Sequence, residues 1–235
     1  MFRTTIVSLA AIGAVAAQAQ TLMAGADYVI EDHGGFTYSD TGAYMNFGVV
    51  GTTTVYKSFG VWDFDATSIG GVASVNSALL TLQESDYAST HPVNLTFWAV
   101  TDNSTNLHKG TNTTIGYDDG TLGGYSGQLG TATELATFDF TSTSSGNSSG
   151  VTNQQDPINF TMGLSSLASQ INSANHDIRI LATTDETGYA TLTGAGAASA
   201  FIPTLNLQVT PVPEPISLAT LGLGVLGLFR RKRQR

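Results

Sequence analysis

The stretch Thr204-Leu205-Asn206-Leu207-Gln208-Val209-Thr210 decides the fold class. Leu205, Leu207 and Val209 fall on one side of an extended chain, and Thr204, Asn206 and Gln208 on the other. A period of two is that of a half-buried strand, with one face against a core and one in water. The stretch Ala136-Thr137-Phe138-Asp139-Phe140 alternates in the same way, as does the chain near Ile158. Further strands are predicted over 26–32, 55–65, 74–85, 92–101 and 177–184, separated by clusters of Gly, Asn, Asp and Ser. Many short strands between turn signals read as an all-β, antiparallel β-sandwich. One short helix is predicted at "LSSLASQI", where Leu164, Leu167, Ala168 and Ile171 recur at helical spacing, and the low-complexity run 141–150 is predicted to be a loop.

The two ends of the chain read as addresses. At the start, Arg3, an apolar stretch from Ile6 to Ala17 and the small-x-small Ala17-Gln18-Ala19 are the three parts of a secretory signal peptide, with cleavage expected after Ala19. Signal peptidase and the secretion machinery are therefore expected partners. At the other end, the apolar run from Ile216 to Phe229 as a helix reaches roughly 21 Å, short of the bilayer core of about 30 Å. Gly222, Gly224 and Gly227 weaken it further. Arg230, Arg231, Lys232, Arg233 and Arg235 come next, a cluster held on the cytoplasmic side by the positive-inside rule. The organisation expected is a signal peptide over 1–19, an extracellular domain over 20–211, and a C-terminal transmembrane sorting segment over 212–235.

Removing both ends changes the charge. Between residues 20 and 211 the bases are Lys57, Lys109 and Arg179, against seventeen of the eighteen acidic residues, a formal charge of −14. Such a body is repelled by nucleic acid phosphates and by anionic membranes, so no nucleic acid partner is expected. There is no cysteine, so an exported domain must draw its stability from a core, and this span is long enough for one.

Pro213-Glu214-Pro215, a Leu/Gly-rich apolar run and an Arg-rich terminus, in that order, resemble the PEP-CTERM sorting signal of exported bacterial proteins. The resemblance implies an exosortase-type membrane peptidase that recognises the Pro-Glu-Pro, removes the tail, and leaves the protein at the cell surface or released outside. The membrane anchor is then transient, as in other removable tails. A second resemblance lies in the body. Phe64-Asp65, Ile69-Gly70-Gly71, the series Val75, Ala78, Leu80 and Leu82, and the closing Pro203, Leu205, Leu207 and Val209 are similar to the DNRLRE-type extracellular module. That family usually has Pro after the Ile, where this chain has Gly70. A jelly-roll-like sandwich and carbohydrate binding are what this likeness implies.

No catalytic residue is assigned. Gly146 to Gly150 reads Gly-x-Ser-x-Gly, but the chain after Gly150 is broken by Pro157 and turns into a strand, where a nucleophile elbow needs a helix. His33, His91, His108 and His176 are isolated. Asp63 and Asp65 share a strand face opposite Trp62 and Phe64, and such a pair could hold calcium, although Asp65 also suits the start of a turn. No other cofactor is expected. For extracellular polysaccharide, the candidate binding residues are Trp98 with Asn94 on the face opposite Phe97, and Tyr117 and Tyr125 in the neighbouring Gly-rich loop. Packing between strands is the competing role for Trp98, because Val100 shares its face.

Two functions fit. The first is a non-enzymatic structural or glycan-binding sandwich retained at the surface or in secreted polysaccharide. The alternative is a polysaccharide-active hydrolase or lyase, or an accessory module of one, which would need paired carboxylates in a cleft.

Overall fold

The computed structural model describes residues 16–31, 37–38, 42–50, 56–84, 93–107, 129–140, 155–184 and 188–213. Among them are eleven strands and one helix: β1 (Gln18–Glu31), β2 (Thr37–Tyr38), β3 (Tyr44–Val50), β4 (Tyr56–Asp65), β5 (Val72–Gln83), β6 (Val93–Val100), β7 (Ala132–Phe140), β8 (Gln155–Phe160), α1 (Leu164–Ile171), β9 (Asp177–Thr184), β10 (Tyr189–Thr193) and β11 (Thr204–Pro211). The described ladders are antiparallel, in the order β7-β6-β9-β4-β1-β11-β5-β8.

β11 buries Leu205, Leu207 and Val209 and leaves Gln208 exposed, the pattern expected of its alternation. It lies between β1 and β5, so the first and last strands are neighbours, with Gln18 facing Val209 and Leu22 facing Leu205. β1 starts at Gln18, eight residues before the predicted strand. The cleavage expected after Ala19 would leave Gln20, opposite Leu207, as its first residue.

β1 also belongs to two halves of the sheet. Gln18 to Met23 pair with β11, whereas Ala24 to Glu31 pair with β4, and a bulge separates Ala24 from Ala26. A bulge bends its strand, and here the sheet turns over onto itself. Leu22, Leu80, Ile158 and Leu205 from one half meet Trp62, Phe64, Phe97 and Ile178 from the other in a single buried cluster. Phe97 on β6 and Phe160 on β8 bridge the halves with ring centroids 6.2 Å apart. On the far side the N–H groups of Thr161 and Met162 donate to the Leu135 carbonyl at 3.1 and 3.2 Å, which nearly closes the sheet into a barrel. On β8, the terminal strand of the order, Pro157 faces Thr81 of β5, and a missing N–H is tolerated at such an edge.

The helix matches the expected one. Gly163 at its N-cap has φ 63°, and Leu167, Ala168 and Ile171 are buried. Gln170 is also buried because its amide replaces strand partners: Nε2 donates to the carbonyls of Val100 at 2.6 Å and Arg179 at 3.1 Å, and Oε1 accepts the Arg179 N–H at 3.1 Å. The α1 side chain thereby ties β6 to β9.

The pair β3 and β10 was not predicted, with Tyr189 facing Gly48 and Thr193 facing Tyr44. Among the described residues no helix is long and apolar enough to cross a membrane. The apolar stretches 6–15 and 216–229 and the loop 141–150 lie outside the described residues.

Candidate functional site

β4 sends Trp62 and Phe64 into the main core, which places Phe59, Val61, Asp63 and Asp65 on the opposite, outer face. That face is not bare. Phe59, Val61, Tyr28, Trp98, Val100 and Leu181 form a second apolar cluster beneath Leu107 and Leu129, which belong to the chain following β6 and the chain preceding β7. Where this cover ends there is an open depression of about 350 Å³, lined by Asp63, Asp65, Asn103, Thr105, Asp177 and Arg179 among others.

Arg179 is the organiser. It stands in the apolar run of β9 with its side chain 4% exposed, directly across from Asp63 on β4. Its Nε and Nη2 donate to the two oxygens of Asp63, each at 2.8 Å, a bidentate geometry. Its Nη1 reaches the carbonyls of Thr105 at 3.0 Å and Asp102 at 3.4 Å, so the same side chain holds the loop. Burial alone would lower the Arg179 pKa, but the hydrogen bonds and charge of Asp63 outweigh it and raise it.

The loop is built by its own side chains. Asp102 Oδ1 accepts the N–H groups of Ser104 at 2.9 Å and Thr105 at 3.0 Å and the Ser104 hydroxyl at 3.0 Å, while Oδ2 accepts the Thr105 hydroxyl. Burial pushes this carboxyl up, yet these donors prevail and its pKa is lowered to about 2. Asn103 is buried, donating to the Asp177 carbonyl and to Ser173 Oγ at 3.0 Å, and its own carbonyl accepts from Asn175.

Asp65 and Asp177 face each other across β4 and β9. Asp65 Oδ1 accepts the Thr67 N–H at 2.8 Å, so it does begin the turn, and the Thr67 hydroxyl and N–H together lower its pKa. Asp177 moves the other way. Burial, then the charge of Asp63, raise its pKa against a hydrogen bond from Asn175 and the charge of Arg179.

Asp63 and Asp65 thus share a face as expected, but their oxygens are directed to different partners, Arg179 and Thr67. Among the described residues no group of three or more His, Cys, Asp or Glu is placed to hold a metal ion. Trp98 corrects an expectation. Its ring lies on the face opposite Phe97, but it is only 8% exposed, covered by the second apolar cluster, with Nε1 donating to Thr183 Oγ1 at 3.0 Å. It offers no open ring face for a sugar. Asn94 is exposed on the same strand, opposite Asp139, and Tyr117 and Tyr125 lie outside the described residues. Of the four histidines, only His176 is described, at φ 53° with Nδ1 2.6 Å from the Ile171 carbonyl.

The sequence reading missed Arg179, Asp102 and Asn103. One signal was available for the first. A base inside the apolar run Ile178-Arg179-Ile180-Leu181, in a body with three bases in all, has to be buried against an acid.

At the end of β11 the chain leaves the described fold through Val212 and Pro213, both exposed. Residues 211–234 match the PEP-CTERM protein-sorting motif. The match takes in Pro213, Glu214 and Pro215, the apolar run and the arginines as far as Arg233, and it supports an exported protein sorted by an exosortase. No curated protein matches the chain.

Proposed function

We propose that residues 20–211 are a non-catalytic extracellular module, a jelly-roll-like β-sandwich similar to the DNRLRE type. Its role is structural or glycan-binding, at the cell surface or within secreted polysaccharide. Signal peptidase removes residues 1–19, and an exosortase-type peptidase handles the tail at Pro213 to Pro215. One observation carries the non-catalytic reading: the polar groups of the depression are engaged with one another. Arg179 holds both Asp63 oxygens and two loop carbonyls, and beside the depression Asp102 accepts four hydrogen bonds from Ser104 and Thr105, which line it. Groups arranged in this way make a rigid, polar, acidic surface whose Asn and Thr side chains suit hydroxyl-rich partners. A glycan array probed with residues 20–213, with and without calcium, tests ligand and cation together. Retention of neutral polysaccharides supports the binding role, and no retention under either condition leaves the structural role alone.

A polysaccharide-active hydrolase or lyase is the second reading. It draws on Asp65 and Asp177, neighbouring carboxyls whose pKa values are pushed in opposite directions, the pattern of an acid and base pair. Release of reducing ends from any polysaccharide on the array, abolished by Asp177→Asn, would establish it in place of the first.

A further inference from the structure

β11 runs to Pro211, and the sorting-motif match begins at Pro211. The folded domain and the address share a residue. Past the strand the chain is still held, because the Val212 N–H donates to the Gly71 carbonyl at 3.1 Å. β5, which begins at the next residue after Gly71, is clamped from outside by Asn172, the C-cap residue of α1. Asn172 Oδ1 accepts the Val72 N–H at 2.9 Å, and its Nδ2 donates to the Val72 carbonyl at 2.8 Å. Val72 therefore turns both backbone groups toward Asn172, and the residue facing it on β11 is Pro211, which has no N–H to leave unpaired.

Pro215 lies three residues beyond Val212, at most about 11 Å of extended chain. A peptidase that grips the Pro-Glu-Pro in extended form needs free chain on both sides of the bond it cuts. Here the upstream side is inside a sheet. Either the peptidase works against the end of the body, or Val212 and Pro211 leave β5 first. Opening one terminal bond is local fraying, far easier than global unfolding, and cleavage of a transiently opened chain tracks the population of the open form.

We propose that the end of the body built from Gly71, Val72, Asn172 and Val212 is the surface presented to the sorting peptidase, and that it gates loss of the tail. Removal proceeds through a state in which Pro211 and Val212 have separated from β5. The proposal rests on the sorting function that the motif supports.

The test measures tail loss in the full chain, by pulse-chase in a host that carries an exosortase. Four chains are compared: the native one, one with a Gly-Ser spacer of about six residues between Val212 and Pro213, Asn172→Ala, and both changes together. The spacer should shorten the half-time by about three- to tenfold, the factor that one net hydrogen bond is worth. Asn172→Ala should shorten it in the native-length chain and add nothing once the spacer is present. A half-time unchanged or lengthened by the spacer overturns the gate, and this arm decides even where Asn172→Ala impairs folding. The triple variant Pro213→Ala, Glu214→Ala, Pro215→Ala separates the two ideas: tail loss that persists in it removes the sorting function itself, and the gate falls with it.

Discussion

Arg179 and Asp63 stand directly opposite each other on adjacent strands and share two hydrogen bonds of 2.8 Å across the outer face of the sheet. The guanidinium also holds two carbonyls of the loop after β6, so one cation fixes sheet and loop together. Asp63→Ala should cost about 3–5 kcal/mol, because it leaves a nearly buried charge without its counterion. Replacing both partners, as Asp63→Leu with Arg179→Met, should recover most of that loss. Urea midpoints of the three chains decide it, and a single variant as stable as the native chain would show the pair to be idle.

Acid should act on two carboxyls in opposite senses. Asp102 has a folded pKa of about 2 against an ordinary 3.8, so its contribution is complete above 3.8 and is lost as pH falls through about 2. Asp177 has a raised pKa, so its ionised form opposes folding near neutrality, and protonation relieves the penalty as pH falls through the raised value. Asp177→Asn should therefore stabilise near neutral pH and lose its advantage in acid, whereas Asp102→Asn should destabilise near neutral pH and approach the native chain in acid. For Asp102 the effect is roughly 0.5–1 kcal/mol, reduced by the solvent that reaches the group. Urea midpoints measured against pH would contradict this if the two variants shifted in the same direction.

Trp98→Ala should cost about 3–5 kcal/mol, the range for truncating a core aromatic. The ring is covered, and its Nε1 is bonded to Thr183. Acrylamide should quench the native fluorescence weakly, since Trp62 is fully buried as well. Strong quenching that survives Trp62→Phe would place the Trp98 ring in water.

Gly163→Ala should destabilise by at least about 1–2 kcal/mol, the cost of a left-handed residue with a side chain. The added carbon would also stand 2.7 Å from the Glu134 carbonyl oxygen and 2.9 Å from Leu135 Cδ2. Thermal unfolding of the variant measures the loss. An unchanged midpoint would mean that the start of α1 shifts freely on β7.

Mass spectrometry of the mature protein from its own host should find a C-terminus near Pro213 to Pro215 and an N-terminus at Gln20. Intact Arg235 in the extracellular fraction would contradict the first, and Met1 the second.

Alternation made β5 and β11 legible, because each buries one face more fully than the other, and β9, buried on both faces, reads as a largely apolar run. β10 and β3 were missed although they alternate too, Ala190 and Leu192 with Thr191 and Thr193, and Met45, Phe47 and Val49 with Asn46 and Gly48. β10 is only five residues long, and its polar Thr191 and Thr193 are buried as well, so its sequence does not show which face meets the core. For Trp98 the pattern told which side of the strand the ring takes, but the cover on that side is Leu107 and Leu129, in the short segments after β6 and before β7, which carry no periodic signal. The turn at Asp65 was readable since it is local, involving a residue two positions on. The clamp of Arg179 on Asp63 joins positions 116 residues apart, and local spacing cannot reveal it.

The placement of β11 between β1 and β5 has a mechanical meaning. A protein tethered to a cell through its last strand receives any pull on that strand. An edge strand under tension peels away from one neighbour, bond after bond. β11 has a ladder on each side, so in a chain that begins at Gln20 a load entering at Pro211 first meets β5 alone and, from Leu207 inward, is divided between two strands, one of which, β1, carries it across the bulge into the other half of the molecule.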